Sequence, residues 1–252
     1  CASCTSLGIV YNPDGSLRDY SFSKVPPSHI FIDTQIIAEA PEVYLWAGIG
    51  DTIAKYHEVT FSMRGDSPAY APVLGQAISC MCAGPLLAHA AAALADCAAN
   101  RVSADLEHAA LNIIVSTGLV SGLVGVDYNS ALAHGLFYGL TTIPSVERDH
   151  LHGEVVSYGV LVQLAMDGQD EALQELLRTY RALGLPTRLA DLGLTLEDDF
   201  TGVLAATEVN QELEHVPYPV TRERIWDAIV KLEAVSEACD APAAPAPQVP
   251  QD

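Results

Sequence analysis

The hydrophobic pattern of this chain changes near Thr34, and the change limits the folds that the chain can adopt. From there to residue 237 the apolar side chains recur at helical spacing, with Gly and Pro at the ends of the runs. The run that ends at Gly184, before Pro186, combines helical spacing with a typical stop signal. The sequence therefore predicts a mainly α, all-helical domain over residues 38–238. The predicted helices span residues 42–64, 69–82, 85–100, 104–121, 129–140, 152–166, 169–184, 187–192, 197–206 and 221–237.

The start of the chain has a different pattern and predicts a small β-containing segment. Residues 6–11 form a short β-type run, and the Asn-Pro-Asp-Gly sequence at 12–15 is a strong turn signal. Residues 18–24 can return as the second strand of a hairpin. After two prolines, residues 29–33 predict another strand, which we expect to be buried. Because this segment is too small to stand alone, we expect it to be the remnant of a larger layer.

The C-terminal end of the chain has a composition of its own. After Cys239 it contains Asp, Ala, Pro and Gln with a single Val. Such a segment cannot bury enough apolar surface to fold. Residues 239–252 are therefore predicted to be a disordered tail.

The formal net charge of −20 argues against two classes of partner. Nucleic-acid binding needs a basic face, and 12 Lys and Arg against 32 Asp and Glu provide none. An anionic membrane surface is disfavoured for the same reason. Two charge-free stretches, residues 67–95 and 109–126, contain Pro, Gly or polar residues, so we expect buried helices of an all-α core rather than membrane spans. The sequence thus predicts no nucleic-acid partner and no membrane partner.

The six cysteines do not form a zinc or redox motif. Cys1-x-x-Cys4 and Cys80-x-Cys82 are pairs, but neither has a matching second pair at zinc-ribbon spacing. We expect these thiols to be small, buried apolar residues. The start of the chain lacks the basic and apolar runs of a signal peptide. A cytoplasmic, reducing location is therefore predicted.

Asp51, His134 and His152 are the candidate catalytic and metal-ligating residues. One carboxylate and two imidazoles suit Zn²⁺ or Fe²⁺, and a catalytic metal keeps one position open for substrate or water. Each residue also has an ordinary interpretation: Asp51 at a helix start, His134 as a satisfied core histidine and His152 as the first residue of a helix. The apolar surroundings of Asp51 weaken the first of these, since a buried, unpaired carboxylate is costly. Two interpretations of His150 are open, a proton relay and an exposed loop histidine, and the second is favoured.

The segments 47–55, 133–135 and 152–154, in this order, resemble the iron-containing or glycerol dehydrogenase family. The resemblance extends from the first residue to about Val235. It implies a dehydroquinate-synthase-like fold, in which an N-terminal α/β domain binds NAD or NADP and a helical C-terminal domain holds a divalent metal. It also implies one Asp and two His ligands, which here are 83 and 18 residues apart. The second interval is one residue longer than the family pattern, which predicts a small loop insertion near residues 144–149.

The same resemblance implies roles for the start of the chain. Residues 1–37 would be the remnant of the dinucleotide-binding domain, and Thr5, Leu7 and Tyr11 would contact the dinucleotide. Cys1 stands at the substrate-binding position, where glycerol dehydrogenases carry an Asp. That departure argues against glycerol as the substrate. The segments 1–5, 45–55, 168–170 and 185–187 look closer to members of the family that interconvert 2-oxo and 2-hydroxy acids. The implied partner is a small alcohol, polyol or 2-oxo or 2-hydroxy acid, and a homo-oligomer is a possible assembly.

No Gly-rich phosphate-binding run of the G-x-G-x-x-G type occurs in the chain, and in the family this segment precedes the residues matched here. The first hypothesis is a metal-dependent NAD(P)-linked alcohol or 2-hydroxy acid oxidoreductase in a truncated form. The second is a non-catalytic helical domain that retains the fold and the metal. A third, a lyase of the dehydroquinate synthase type, would need more basic residues to bind a phosphate.

Overall fold

A computed structural model describes residues 4–13 and 17–240, and helices dominate these residues. The predicted mainly α character is confirmed. Within the described residues the helices are connected by short 3₁₀ turns at Cys80–Cys82, Leu189–Leu192 and Gln211–Leu213 and by a π-helical turn at Asn112–Ser116. The regular elements are β1 (Leu7–Tyr11), β2 (Leu17–Phe22), α1 (Thr34–Glu39), α2 (Glu42–Ser62), α3 (Tyr70–Ser79), α4 (Gly84–Ala98), α5 (Ala104–Leu111), α6 (Thr117–Val124), α7 (Leu132–Leu140), α8 (Pro144–Asp149), α9 (His152–Met166), α10 (Asp170–Leu183), α11 (Thr201–Glu208) and α12 (Arg222–Asp240).

Helix α9 is the central element of the domain. Its sequence is apolar on nearly every face, so it is stable only when other elements surround it. Helices α2, α7, α10 and α12 pack against it. Tyr158 and Leu161 in α9 are fully buried. The hydrophobic core is therefore continuous from α2 through α9 to α12.

Two glycines of α9 allow its neighbours to approach closely. At Gly153 a Cβ would collide with the carbonyl oxygen of Ala47 in α2 and would lie 3.0 Å from Cβ of Asp51. At Gly159 a Cβ would lie 2.6 Å from the carbonyl oxygen of Ala133 in α7. A side chain at either position would push the helices apart. These two contacts therefore set the spacing among the three helices that carry the candidate ligands.

Most predicted helices occur near their predicted limits. Helix α9 has the predicted limits, and α10 ends at Gly184 in the left-handed conformation, with φ of 68°. The stretch predicted over 187–192 is instead the 3₁₀ turn at Leu189–Leu192. The helix predicted over 197–206 begins only at Thr201.

The predicted hairpin is confirmed, whereas the predicted third strand is wrong. Strands β1 and β2 pair in antiparallel orientation. Residues 29–33 form no strand, and the side chain of Phe31 is 94% exposed. In the part of the chain that the structure describes, no third strand pairs with the hairpin to extend its sheet. Asp33 instead precedes α1 as its N-cap, where its Oδ1 accepts the backbone N–H of Gln35 at 2.9 Å.

The two charge-free stretches form helix pairs that are less buried than the sequence predicts. Tyr70–Ala98 contains α3 and α4, and Ala104–Val124 contains α5 and α6. By length and composition alone each stretch could cross a membrane, but core helices of soluble proteins pass the same test. Their most apolar windows are 33% and 39% buried. The reason is that α3 and α6 pack mainly on each other, so each keeps an outward face.

Two further segments, residues 144–149 and the end of α12, are helical where the sequence predicts irregular structure. Residues 144–149, expected to be a loop insertion, form the short helix α8, with Pro144 in its first turn. Helix α12 continues to Asp240, so the first two residues of the predicted tail, Cys239 and Asp240, are helical. Residues 241–252, the rest of the predicted tail, lie outside the described residues.

The cysteines of the described segments are free thiols. Cys82 and Cys97 are buried, as the sequence predicts, and Cys4 is partly buried. Cys80 and Cys239 are exposed. The predicted burial is therefore confirmed for Cys82 and Cys97 and is wrong for Cys80 and Cys239.

Candidate metal centre

The three candidate ligands lie on three helices that meet at one point. Asp51 is in the middle of α2, His134 is in the first turn of α7, and His152 is the first residue of α9. Their ligand-type atoms all lie within 4.8 Å of one another. The long sequence separations are closed because α9 packs against both α2 and α7. The structure thus brings together all three residues that sequence analysis singled out.

The distances from Asp51 to the two histidines match those between ligands of a tetrahedral metal ion. Oδ1 of Asp51 lies 3.4 Å from Nε2 of His134 and 3.4 Å from Nε2 of His152. Ligand atoms that each lie about 2.1 Å from an ion at tetrahedral angles are about 3.4 Å apart. One carboxylate and two imidazoles suit both Zn²⁺ and Fe²⁺. These residues can therefore hold such an ion with one coordination position open.

Glu58 lies directly behind His134, and sequence analysis did not single it out. The residue is fully buried, and its Oε2 lies 2.6 Å from Nδ1 of His134. Its Oε1 accepts the backbone N–H groups of Ala131 at 2.8 Å and of His134 at 2.9 Å. The available sequence signal is its position seven residues after Asp51, which places both carboxylates on the same face of α2.

The charges in this cluster oppose the effect of burial. Burial by itself would raise the pKa of Asp51, but hydrogen bonds from His134 and His152 and their charges hold that pKa well below its usual value. Burial would lower the pKa of His134, whereas Glu58 and Asp51 beside its two nitrogens raise it to about 10. Burial would raise the pKa of Glu58, but His134 and Lys55 lower it. Asp51 and Glu58 are therefore both carboxylates at neutral pH, the form in which Asp51 can bind a metal.

Lys55 lies on the same face of α2, between Asp51 and Glu58. Its Nζ donates hydrogen bonds to the carbonyl oxygen of Asn129 at 2.8 Å and to Oδ1 of Asn129 at 3.0 Å. Because the side chain is buried, its ammonium group depends on these partners. Lys55 thus ties α2 to the segment before α7 and balances part of the negative charge of the cluster.

His152 is held differently from His134. Its side chain is 47% exposed, against 11% for His134. The ring of His152 meets the ring of Phe137 edge-on, with 4.3 Å between the centroids. Glu154 fixes the start of α9, because its Oε2 accepts the backbone N–H of Leu151 at 3.0 Å. The centre is therefore closed on the side of His134 and open on the side of His152.

His150 is not the exposed loop residue that the sequence predicts. Its side chain is 17% exposed, and its Nδ1 lies 2.9 Å from Oε1 of Glu154. Glu154 also caps α9 through the backbone N–H of Leu151. Its carboxylate therefore holds the His150 ring close to the start of this helix. His89 forms a similar pair with Asp105 at 2.7 Å. Among the described residues, however, no second group of three such side chains converges as a metal cluster does.

The predicted dinucleotide contacts lie on or beside β1. Leu7 and Tyr11 are the first and last residues of this strand, and Thr5 precedes it with a half-buried side chain. A groove of about 310 Å³ follows the hairpin and is lined in part by Thr5. Cys1, the predicted substrate-binding position, lies outside the described residues.

The chain is similar over most of its length to known dehydrogenases. It is 32% identical over 238 residues to hydroxycarboxylate dehydrogenase A of Escherichia coli K12, a match that covers 93% of this chain and 66% of that protein. It is 30% identical over 236 residues to a glycerol dehydrogenase of Thermotoga maritima, covering 90% of this chain and 64% of that protein. The structure of a probable glycerol dehydrogenase from Sinorhizobium meliloti 1021 matches with a TM-score of 0.79 and 27% identity, covering 94% of this chain and 69% of that one.

No family model matches the chain. The chain spans somewhat less than two thirds of the length of the two curated relatives, 66% and 64%. The agreement nevertheless covers nearly all of this chain, in sequence and in fold. The chain therefore belongs to the iron-containing and glycerol dehydrogenase family.

Proposed function

We propose that this chain binds a divalent metal ion through Asp51, His134 and His152 and forms the metal-binding part of an NAD(P)-linked dehydrogenase. Its substrate would be a small alcohol, a polyol or a 2-hydroxy acid, with the corresponding 2-oxo acid in the reverse direction. The observation that carries the proposal is the convergence of three ligand atoms within 4.8 Å of one another, with Asp51 at 3.4 Å from each histidine, in a member of a dehydrogenase family.

The chemistry of the proposal follows from this ligand set. A divalent ion bound here supplies Lewis-acid chemistry, which stabilises negative charge on a substrate oxygen and lowers the pKa of a hydroxyl group. Since Asp51 contributes one negative charge and the imidazoles bind as neutral groups, the site keeps a net positive charge towards the substrate. His152 and Phe137 border the open side, so the substrate would approach there. His134 and Glu58 close the opposite side against water.

The nicotinamide dinucleotide would carry the hydride, and this chain would contact it through Thr5, Leu7 and Tyr11. In this proposal Cys1, which takes the sequence position of the family's polyol-binding residue, would contact the substrate. No Gly-rich phosphate-binding run occurs among the 252 residues, so we expect this chain to bind the dinucleotide weakly. We place the reaction in a reducing cytoplasm, in keeping with free cysteines in the described segments.

A second candidate is a non-catalytic helical domain that retains the fold and the metal. It is favoured by the position of the ligand cluster, which lies entirely on helices of the helical domain. Titration of the chain with NADH and NADPH, followed by fluorescence, distinguishes the two. The dehydrogenase proposal expects a saturable change that depends on Thr5, whereas no change at any concentration supports the non-catalytic domain.

Metal content tests the site itself. The wild-type chain, loaded with Zn²⁺ or Fe²⁺ and desalted, should retain one ion per chain, and His134→Ala should retain none. His89→Ala is the matched control, because His89 also lies beside a carboxylate but has no converging third ligand. It should retain the full amount of metal. Equal metal contents in wild type and His134→Ala would show that the assignment is wrong.

A further inference from the structure

We propose that Glu58 is the positioning residue of the metal centre: it holds the His134 ring so that Nε2, and not Nδ1, faces the metal position. This inference rests on the proposed metal site. Glu58 would not contact the ion, the substrate or the dinucleotide. It would act through His134 alone.

The contacts of Glu58 satisfy both of its oxygens within the protein. Oε2 faces Nδ1 of His134 at 2.6 Å, and Oε1 receives two backbone N–H groups at 2.8 and 2.9 Å. With no exposed surface, the carboxylate has no water to replace these partners. Removing its charge or moving it by one bond would leave polar groups of the interior unpaired.

The direction of the hydrogen bond follows from the acceptor. An ionised carboxylate can only accept, so Nδ1 of His134 must donate its proton to Glu58. An ion at Nε2 would displace any proton from that nitrogen, so the metal-bound ring would keep a single N–H, on Nδ1 and directed at Glu58. Nε2 is the nitrogen that lies 3.4 Å from Oδ1 of Asp51. Glu58 thus selects the tautomer that can bind a metal between His134 and Asp51.

The same carboxylate also fixes the backbone that carries the ring. The N–H groups of Ala131 and His134 lie at the start of α7, where a helix has no internal acceptors for them. Glu58 caps both from α2. One residue therefore holds the helix end and the imidazole as a unit, which leaves the ring little freedom to rotate.

A carboxylate beside a histidine is not by itself a positioning device, as a second pair in the molecule shows. Glu154 bonds Nδ1 of His150 at 2.9 Å and caps α9 through Leu151. His150 nevertheless belongs to no metal cluster among the described residues. What distinguishes Glu58 is that the far nitrogen of its histidine faces another candidate ligand.

The test is Glu58→Gln. This substitution removes the negative charge and replaces one acceptor oxygen by an NH₂ donor, while the side chain keeps its size. The amide oxygen can still accept the two backbone N–H groups, but the NH₂ group then faces Nδ1 and favours the N–H on Nε2, which blocks the metal position. If the amide takes the opposite orientation, its NH₂ group faces the backbone N–H groups of Ala131 and His134, and these donors lose their acceptor. Zn²⁺ affinity, measured by competition with a chromophoric chelator, should fall roughly 10- to 100-fold.

Two readouts separate positioning from general damage. In the Zn²⁺-loaded wild type, nitrogen chemical shifts of the ring, from proton–nitrogen correlation spectra, should show His134 with its N–H on Nδ1, and this signal should shift or disappear in Glu58→Gln. The visible absorption of bound Co²⁺ should change in the same variant. Glu233→Gln is the matched control, because Glu233 accepts hydrogen bonds from Tyr158 and from the backbone of Leu189 but touches no candidate ligand. It should bind Zn²⁺ like wild type.

Each outcome decides a separate question. If wild type itself binds no Zn²⁺, the proposed function fails and this inference with it. If wild type binds Zn²⁺ and Glu58→Gln binds it equally tightly with an unchanged Co²⁺ spectrum, only the inference is overturned. Should Glu58→Gln not fold, as judged by circular dichroism, Glu58→Asp replaces it. That variant keeps the charge but withdraws it by one methylene, and it should weaken Zn²⁺ binding several-fold; unchanged affinity would overturn the inference.

Discussion

His134 and His152 present the same nitrogen to the same carboxylate oxygen at the same distance, 3.4 Å, but the protein holds them in opposite ways. His134 is enclosed, with Glu58 on its far nitrogen and the end of α7 fixed by the same carboxylate. His152 lies at the first position of α9, half exposed, and its ring is held by the edge of Phe137. One ligand is fixed by hydrogen bonds in a dry environment and the other by an aromatic contact near solvent.

The difference indicates how a metal centre can be both rigid and accessible. A buried, hydrogen-bonded imidazole keeps its geometry whether or not a substrate arrives. An imidazole at a helix start leaves room beside it, because no preceding turn covers that side. In the proposed site, the fixed side would define the position of the ion, and the open side would define where a substrate enters.

The largest expected difference between the two sides is in stability. His134→Ala removes the partner of a buried carboxylate, so we expect the free energy of unfolding to fall by roughly 3 kcal/mol. His152→Ala removes a half-exposed ring and should change it by less than about 1 kcal/mol. Urea unfolding in excess chelator measures both, since no metal then contributes. Equal losses in the two variants would show that the two sides are held alike.

The next largest effect concerns the distance between α2 and α9, which carry Asp51 and His152. Gly153→Ala should destabilise the fold by about 2 kcal/mol and weaken Zn²⁺ binding, because the new methyl group collides with α2 beside Asp51. Gly122→Ala is the control: it lies in α6 with nothing within 4 Å of its Cβ position and should be neutral or slightly stabilising. Thermal unfolding and Zn²⁺ competition measure the two quantities. Identical behaviour of both variants would contradict the close approach of α2 and α9.

The smallest expected effect is on the open side alone. Phe137→Leu removes the edge contact with His152 while keeping an apolar side chain, and such aromatic pairs contribute about 1 kcal/mol. Zn²⁺ affinity should therefore fall roughly fivefold, with the hydrogen bond between His134 and Glu58 unchanged in ring-nitrogen spectra. Tyr138→Leu changes the exposed neighbouring ring and should leave affinity unaltered. A loss of the His134 hydrogen bond in Phe137→Leu would mean that the two sides are not independent.

The sequence predicts a good part of this molecule because the relevant signals are local. Helix α9 is uniformly apolar, α10 carries a stop signal at Gly184, and both occur where they are expected. The ligand triad could be chosen because Asp and His are chemically distinctive among apolar neighbours. Their identity as ligands stays a proposal, although the structure places the three together.

What the sequence cannot predict depends on partners far along the chain. Residues 29–33 have the composition of a buried strand, but a strand needs a neighbour, and in the described residues that position is not filled. Glu58 looks like an ordinary helical surface residue until α7, more than 70 residues later, is placed against it. In each case a tertiary contact decides the environment.

The exposure of His152 also has a kinetic consequence. An ion leaves a chelating site one bond at a time, and the first bond to break is the one whose ligand can turn away into water. His152 has that freedom, and His134, fixed from behind by Glu58, does not. If the three residues hold an ion as proposed, Asp51 and His134 would keep it in place while the ring of His152 turns into water. The residence time of the ion would then be governed by the rotation of one surface side chain rather than by unfolding of the domain.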